Sequence, residues 1–508
     1  MLLVRNKFVL FALAASLAAG SAGCSGNRSL LPAAGGVAGP ASHLSPRFQK
    51  IGHQPPDYMQ LAFLMTDGSI LAQGESNWSN WYKYVPDSSG SYVNGTWTQV
   101  ASLPSGYAPD AYAATVLPDG RLLISGGEYN IPGNYDLQLV NLGAIYDPKK
   151  NTWTKLGHPK GWGWIGDSPS ILLPNGNFLL GDKLMKQDAI YNPTTGKWKK
   201  LSAKNGKSDW NAEEGFTLLP NGTVLTEDVL DAPNSEIYDP SSNHWTTAGS
   251  TIVNLRSQSP YHSCLQYGPK PQDCYLPPGE IGPAMLRPDG TVFATGSGQG
   301  GSGAGTGHTA IYTIGSGSWA AGPDFPSGDN AGDSFAVLEP SGDVLVFGVS
   351  GEMYEWNGSS LTAVGFEGGP PLLLPTGQVA MFGQSVDLYT PGGAPKSSWA
   401  PTISSSPKSV KRGKTYSISG TQFNGLSQAV AFGDEFQNGT SYPLVRITNT
   451  KTTHVFYART HGENNSGIAP GQQVTAQFDA PAKMDTGAST LVVVANGIAS
   501  SPVNVTIK

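Results

Sequence analysis

The sequence predicts an all-β protein, in which a seven-bladed β-propeller is followed by an Ig-like β-sandwich. Three observations indicate this fold: a hairpin phrase that recurs through residues 50–400, an aromatic phrase that follows most copies of it, and a change of pattern after residue 400. Glycine accounts for 65 of the 508 residues. This abundance suits a chain with many tight turns, because glycine adopts positive φ without strain.

The recurring phrase places Asp-Gly, Asn-Gly or a similar pair between two apolar runs. Such a pair is a strong hairpin signal, because both turn residues can take positive φ. Seven copies occur, and their glycines are Gly68, Gly120, Gly176, Gly222, Gly290, Gly342 and Gly377. A hairpin that repeats at blade-length spacing is typical of a β-propeller, in which each blade is one supersecondary unit.

Most blades carry a second phrase, an apolar residue followed by Tyr and often Asp-Pro or Asn-Pro, with a Trp about seven residues later. The clearest pairs are Tyr146 with Trp153, Tyr191 with Trp198, and Tyr238 with Trp245. We expect these aromatics to be packing anchors between neighbouring blades. Together with Gly126-Gly127, the two phrases resemble the kelch repeat over residues 50–400, which implies seven blades.

The first residues resemble a bacterial lipoprotein signal. Arg5 and Lys7 precede a short apolar stretch, and small residues then lead to Cys24. The prediction is a signal peptide at 1–23, a lipidated Cys24 and a disordered tether at 24–48, with an ordinary secretory signal as the alternative. The predicted location is the bacterial cell envelope, on the outer or inner membrane and facing the periplasm or exterior, with the lipid anchor as the only membrane contact; otherwise the protein is secreted.

Two further cysteines, Cys264 and Cys274, lie in one long insertion before the fifth hairpin. In an extracytoplasmic protein a local disulfide is the expected pairing. A metal site that uses Cys264 and His262 is the alternative.

The propeller is predicted to span residues 49–400, and residues 401–508 change to short alternating strands, one of them at 428–432. Their lengths and proline-rich joints favour an Ig-like sandwich. The stretches 442–446 and 491–498 resemble the C-terminal domain of the galactose oxidase and glyoxal oxidase family. The two predicted domains together give the arrangement of that family.

This resemblance implies a copper-radical site with two Tyr ligands, two His ligands and a Tyr crosslinked to a Cys. The position of the crosslinking Cys is Ala113 here, that of the crosslinked Tyr is Asp167, and the Tyr-His pair is replaced by Glu280-Ile281. His454 alone loosely matches the remaining His ligand, and a single His does not hold copper. The copper site is therefore predicted to be absent, and an oxidase with a rearranged site is the alternative.

Acidic residues recur eight or nine positions before the hairpin turns. They are Asp110, Asp167, Glu213, Glu280, Asp333 and Glu367. Propeller symmetry would bring them to one mouth of the channel, where like charges raise one another's pKa or require a cation. Three interpretations remain open: a solvated polar ring, a cation site that would suit Ca²⁺, and acid–base catalysis by a carboxylate pair. The metal is not assigned, and Asp167, Glu280 and His454 are weak candidate ligands.

Three tryptophans lie near these acids in the sequence: Trp162, Trp164 and Trp210. A Trp face beside carboxylates suits a sugar ring, although some of these residues could simply close gaps between blades. The formal charge of −6 argues against nucleic acid as a partner.

The predicted function is binding of a glycan or a cell-surface partner at an acidic, Trp-lined channel mouth. No cofactor is assigned, and non-enzymatic binding is favoured. The alternatives are a copper oxidoreductase with a rearranged site, a carboxylate-based glycan-cleaving enzyme, and a protein-interaction module of the cell envelope.

Overall fold

The computed structural model describes residues 47–508, except 132–138, 259–263, 267–273, 277–278, 301–303, 367–368 and 433–437. The predicted signal peptide, Cys24, nearly all of the tether, His262 and Glu367 lie outside the described residues. Among the described residues, no helix has the length and apolar character needed to cross a membrane.

Seven antiparallel sheets form the propeller, and in blades 1 to 6 the four propeller strands follow sequence order from the innermost to the outermost. The strands of blades 1 to 4 are, in turn, Met59–Leu64, Ile70–Gly74, Trp81–Val85 and Thr96–Gln99; Ala113–Val116, Leu122–Ser125, Gly143–Asp147 and Thr152–Lys155; Ser170–Leu172, Phe178–Gly181, Asp188–Asn192 and Lys197–Lys200; Thr217–Leu218, Val224–Glu227, Asn234–Asp239 and His244–Ser250. Those of blades 5 and 6 are Ala284–Leu286, Thr291–Gly298, Gly307–Thr313 and Ser318–Ala321; Phe335–Leu338, Val344–Phe347, Glu352–Trp356 and Leu361–Phe366.

The last blade closes the ring with a strand from the start of the propeller. Its inner strands are Pro371–Leu373, Val379–Met381 and Asp387–Tyr389, and its outermost strand is Phe48–Lys50. Two short ribbons, Pro109–Asp110 with Tyr129–Asn130 and Leu265–Gln266 with Cys274–Tyr275, and two 3₁₀ turns, Pro326–Gly328 and Ser397–Trp399, complete this part of the chain. Because Phe48–Lys50 pairs with Asp387–Tyr389, the last blade joins the two ends of the propeller and closes the ring.

The predicted hairpin turns are present, but their geometry differs from the expectation. All seven glycines have positive φ. The residue before each glycine does not, and in blade 2 Gly120 N–H donates to Leu117 O while Leu117 N–H donates to Arg121 O. This is a three-residue loop, a type I turn closed by a left-handed Gly. Asp119 stabilises it by accepting from Arg121 N–H at 3.0 Å.

The blade aromatics pack as predicted. Tyr146 and Trp153 lie opposite each other on the third and fourth strands of blade 2, with ring centroids 5.1 Å apart. The indole N–H of Trp153 donates to Ala101 O in the connection from the preceding blade, and that of Trp245 donates to Asp188 in the preceding blade at 2.8 Å. Each such Trp therefore packs on the Tyr of its own blade and hydrogen-bonds to the blade or connection before it. Trp153 also packs on Trp81 of blade 1, with ring centroids 4.9 Å apart.

The C-terminal strands curl into one sheet consistent with a sandwich. They are Thr402–Ser405, Ser409–Val410, Thr415–Thr421, Leu444–Asn449, Val455–His461, Gln473–Asp479, Gly487–Ala495, Ile498–Ala499 and Val503–Ile507. This domain packs on the propeller face that carries the hairpin turns, where Thr460 N–H donates to Thr66 O and Gly462 N–H donates to Pro118 O. We call this the turn face and the opposite one the upper face.

Two described stretches of the C-terminal domain, residues 424–432 and 438–442, contact the inner strands of the propeller, and we call them the finger. Its strand Val430–Phe432 pairs with Phe335–Val337, the innermost strand of blade 6. Asn438 Nδ2 donates to Ala62 O and Pro371 O at 3.1 Å each. The prediction of a sandwich strand at 428–432 is therefore wrong, because these residues complete a propeller sheet instead.

Candidate functional site

The chain direction places the recurring acids on the upper face. Each inner strand runs toward its hairpin on the turn face, so residues that precede the strand lie at the opposite end of the channel. Asp110, Asp167 and Glu213 are each 3% exposed or less, and Glu280 and Asp333 are half-buried. The same end of the channel receives the residues that follow each second strand.

A buried ammonium group lies among these acids. Lys183 Nζ contacts Asp167 Oδ2 and lies 2.7 Å from Glu213 Oε2, and its own side chain is fully buried. Lys183 follows the second strand of blade 3, whereas the acids precede first strands. The recurring pattern did not reveal Lys183, because that pattern concerns the residues before each innermost strand and Lys183 follows a second strand.

Glu128 occupies the corresponding place in blade 2 and was missed for the same reason. It is 1% exposed, and its Oε2 has no hydrogen-bond partner in the part of the chain that the structure describes. Burial raises its pKa well above the ordinary value; Asp167 adds to this rise and Lys183 opposes it. Burial therefore disfavours the charged form of the Glu128 carboxyl group, and the nearby Lys183 ammonium group offsets this only in part.

Asp333 behaves in the same way from the far side of the channel. Burial of the carboxyl group raises its pKa, and Glu213 and Asp167 raise it further. Asp110 also contributes to this rise, and Asp110 Oδ1 accepts from Gln60 Nε2 at 2.8 Å. Acids from different blades thus act on one another electrostatically. We call Asp110, Glu128, Asp167, Lys183, Glu213, Glu280 and Asp333 the charged ring.

The long insertion before blade 5 lies beside the charged ring. Tyr275 interacts electrostatically with Lys183 and Glu213, and burial raises the pKa of its hydroxyl group. Tyr275 sits in the short ribbon that carries Cys264 and Cys274, whose Cα atoms are 5.3 Å apart with the sulfurs at disulfide distance. Tyr275 thereby brings a phenol group from this ribbon next to the ring.

The three tryptophans have different environments. Trp162 is 2% exposed, donates to Gln187 Oε1 at 3.1 Å and packs in the core between blades 2 and 3. The interpretation of Trp162 as a sugar platform is therefore wrong, because no face of the indole reaches solvent. Trp164 is half-buried near Tyr275, and Trp210 is 40% exposed on the upper face.

Other apolar side chains surround this face. Seven of the eight large hydrophobic residues that are exposed in the described part of the chain lie in upper-face loops: Leu142, Met185, Trp210, Leu230, Ile252, Leu276 and Val349. Val85, on the turn side of blade 1, is the exception. A cleft of about 450 Å³ also opens there between blades 5 and 6, lined by Asn330, Glu352 and Tyr354 among others. These side chains come from separate loops of blades 2 to 6, so most of the exposed large apolar side chains and the cleft lie on the same face as the charged ring.

His454 does not join the candidate metal ligands. Its Nδ1 lies 2.9 Å from Asp485 Oδ2 in the C-terminal domain, and the adjacent Val455 N–H donates to Ser88 O on the turn side of blade 1. The prediction that His454 could be a metal ligand together with Asp167 and Glu280 is wrong, because His454 lies on the turn side of the propeller and both acids lie on the upper face.

The charged ring does not fit the copper site that the galactose oxidase resemblance implies. The position of the crosslinking Cys is a buried Ala113 on an inner strand, and Asp167 is engaged by the Lys183 ammonium group. Five described histidines, His53, His158, His308, His454 and His461, hydrogen-bond to groups that are not members of the ring. Carboxylates around an ammonium group lack the imidazole and phenolate donors that copper takes in that family.

Gly126 allows the backbone of blade 3 to approach blade 2 beside the ring. It has φ of +85°, and a Cβ there would lie closer than 3.0 Å to Gly166 O and Ile165. We expect Gly126→Ala to lower the free energy of unfolding by about 2 kcal/mol or more through strain and displacement of Asp167. Gly163→Ala, where nothing lies within 4 Å, is the control. Equal denaturation midpoints for the two variants would contradict this account.

The fold and the site together define a class: a kelch-like seven-bladed propeller protein that carries a C-terminal sandwich and has a carboxylate–lysine cluster at the channel mouth. No protein-family model matches the chain. Among curated proteins it is similar to N-acetylneuraminate epimerase of Haemophilus influenzae (30% identity over 154 residues, 30% of this chain and 37% of that protein) and of Yersinia enterocolitica (28% over 175 residues, 34% and 40%). The chain thus spans about two fifths of the length of these relatives.

Among solved structures the chain is similar to a fungal alcohol oxidase in complex with copper, with a TM-score of 0.48, 14% identity, and coverage of 91% of this chain and 98% of that one. It is also similar to a catalytically inactive virginiamycin B lyase from Staphylococcus aureus, with a TM-score of 0.44, 10% identity, and coverage of 68% and 99%. These two likenesses do not bear on the chemistry of the site.

Proposed function

We propose that this protein binds a carbohydrate at the upper face of its propeller, with the charged ring as the polar centre and Trp210 as an apolar platform. The convergence of buried carboxyl groups around Lys183 is the observation that carries the proposal. Carboxylates and protonated carboxyl groups together accept from and donate to sugar hydroxyls, and an exposed indole stacks on a sugar ring.

The charge of the site favours a neutral or amino sugar over an acidic one. Six carboxyl groups face one ammonium group in the charged ring, so the carboxylate of an acidic sugar would meet like charge. The curated relatives are named for N-acetylneuraminate, which carries such a carboxylate. We therefore infer that this chain takes a different sugar from those relatives.

A glycan array followed by calorimetry tests the proposal. We expect neutral or amino-sugar oligosaccharides to bind in preference to sialylated ones, and Trp210→Ala to weaken binding at least tenfold, as truncation of a central aromatic commonly does. Val85→Ala, which trims an exposed apolar side chain on the turn side, is the control and should bind normally. Absence of glycan binding by the wild type, or full binding by Trp210→Ala, would refute the proposal.

A second candidate function is acid–base chemistry on the bound glycan. One observation favours it: the carboxyl groups of the ring have different surroundings, since burial raises the pKa of Glu128 and Asp333 whereas Asp167 and Glu213 contact the Lys183 ammonium group. Such a difference in surroundings is how sites assign acid and base roles. Products released from the bound glycan by the wild type but not by Glu128→Gln would establish this function.

We further propose that the protein acts outside the cytoplasm, anchored by a lipid on Cys24. Support comes from the lipoprotein-like start of the sequence and from the Cys264–Cys274 pair, which would form a disulfide in an oxidising compartment. Fatty-acid labelling that is equal in the wild type and in Cys24→Ser would refute the anchor.

A further inference from the structure

A second acidic cluster lies within blade 4, apart from the charged ring. Asp209, Glu214 and Asp228 each offer a carboxylate oxygen, and these three oxygens all lie within 4.8 Å of one another. The three side chains are at most 3% exposed. They come from different elements, since Asp209 and Glu214 belong to the connection into blade 4 and Asp228 follows its second strand.

Two of these acids are already held in position by the protein. Glu214 accepts from Lys207 Nζ at 2.8 and 2.9 Å and from Thr226 Oγ1 at 2.9 Å. Asp209 accepts from the backbone N–H groups of Trp210 and Leu230 at 2.8 and 2.7 Å. The two carboxylates are therefore oriented before any ligand arrives.

Asp228 is different, because its Oδ1 is buried and has no hydrogen-bond partner in the described part of the chain. Its carboxyl group nevertheless points into the cluster, within reach of Asp209 and Glu214. An unsatisfied buried carboxylate oxygen is costly unless a proton or a cation accompanies it.

The charge count favours a cation. Asp209, Glu214 and Asp228 are joined by Glu236, whose Oε2 lies 2.7 Å from Lys207 Nζ. Four acids thus surround one lysine, and Lys207 is engaged by Glu214 and Glu236. Lys207 acts on Asp228 only electrostatically, with no ion pair or hydrogen bond between them among the described contacts, and a single ammonium group faces four acids.

We propose that Asp209, Glu214 and Asp228 bind a hard divalent cation, with Ca²⁺ as the preferred ion. The donor set consists of oxygens, which Ca²⁺ takes at about 2.3–2.6 Å, and oxygens up to 4.8 Å apart can share one ion at that distance. Zn²⁺ and Cu²⁺ are disfavoured, because the cluster offers no imidazole or thiolate among the described residues.

The cation would order the loop that serves the upper face. Asp209 directly precedes Trp210, and Glu214 directly follows Glu213, which contacts Lys183 in the charged ring. An ion between Asp209, Glu214 and Asp228 therefore secures both ends of this short segment. The proposed cation site stands independently of the glycan proposal, because it rests on different side chains.

Terbium luminescence is the direct test, with Tb³⁺ as the calcium surrogate. Lys207 Nζ lies 4.8 Å from the centroid of Trp245, so an ion at the cluster is close enough to an indole for sensitised emission. We expect chelator-treated wild type to show Tb³⁺ emission that Ca²⁺ displaces, and Ca²⁺ to raise its melting temperature. Asp228→Asn and, as a second variant, Asp209→Asn should each weaken Tb³⁺ binding at least tenfold.

Two controls separate this site from other acids. Asp182 occupies the equivalent place in blade 3 and is fully buried, so Asp182→Asn removes a similar carboxylate and should bind Tb³⁺ normally. Glu128→Gln changes the charged ring and not the cluster in blade 4, so this variant should also bind Tb³⁺ normally. No sensitised emission from the wild type, equal affinity in Asp228→Asn, or loss in Glu128→Gln alone would each overturn the proposal. Circular dichroism confirms that the compared variants are folded.

Discussion

Replacing Lys183 with Met should destabilise the protein by about 3–5 kcal/mol, the usual cost of removing one partner from a buried ion pair. Asp167 and Glu213 would lose the ammonium group that both contact, and neither could recover its hydration. The loss should be larger at pH 8 than at pH 5, because the stranded carboxylates can take up protons in acid. Chemical denaturation at the two pH values measures both effects.

The same loop supplies a matched control. Lys186 is exposed, and Lys186→Met should change the free energy of unfolding by no more than about 0.5 kcal/mol. A triple variant, Lys183→Met with Asp167→Asn and Glu213→Gln, should recover most of the loss, because it removes the unpaired charges as well. If Lys183→Met were as stable as Lys186→Met, the ammonium group would not be what neutralises the ring.

Replacing Phe432 with Ala should cost about 3–5 kcal/mol, because it empties a filled position in the propeller channel. Phe432 is 1% exposed, its ring centroid is 4.6 Å from that of Phe335, and its backbone pairs with the inner strand of blade 6. The variant should also weaken the coupling between the two domains, since the finger is where the sandwich enters the propeller. Hydrogen exchange at Phe335–Val337 should accelerate relative to the other inner strands.

Two comparisons isolate the packing effect. Phe432→Leu keeps most of the volume and should cost less than about 1.5 kcal/mol. Phe456→Ala removes the same ring from a half-buried place in the sandwich and should leave exchange in blade 6 unchanged. Normal exchange in Phe432→Ala would mean that the finger does not stabilise the channel.

The propeller was predictable because its information is local. A turn residue such as Gly120, a cross-strand pair such as Tyr146 and Trp153, and the two apolar runs between them lie within one blade, and the blade repeats. The turn type was predicted less well, because the chain satisfies the hairpin with one positive-φ glycine and a preceding Asp that accepts from the backbone.

The candidate site was predicted in part. Repeat register was enough to place Asp110, Asp167 and Glu213 at one end of the channel, because each precedes the start of an inner strand by three or four residues. Lys183 and Glu128 could have been found by aligning second-strand ends in the same way. The burial of Trp162 could not have been predicted in this way. Trp162 and Trp210 have similar surroundings in the sequence, and only the packing of neighbouring blades leaves one buried and the other exposed.

The sequence by itself determined the number of blades, the positions of their turns and the face on which the acids gather, since each depends on residues within one repeat. Only the tertiary structure decided how the charges are neutralised and what fills the channel. Lys183 meets Glu213 across 30 residues, and Phe432 meets Phe335 from another domain. Such contacts depend on how whole blades and domains pack, because burial then sets both the pairing of charges and the space that an aromatic ring can fill.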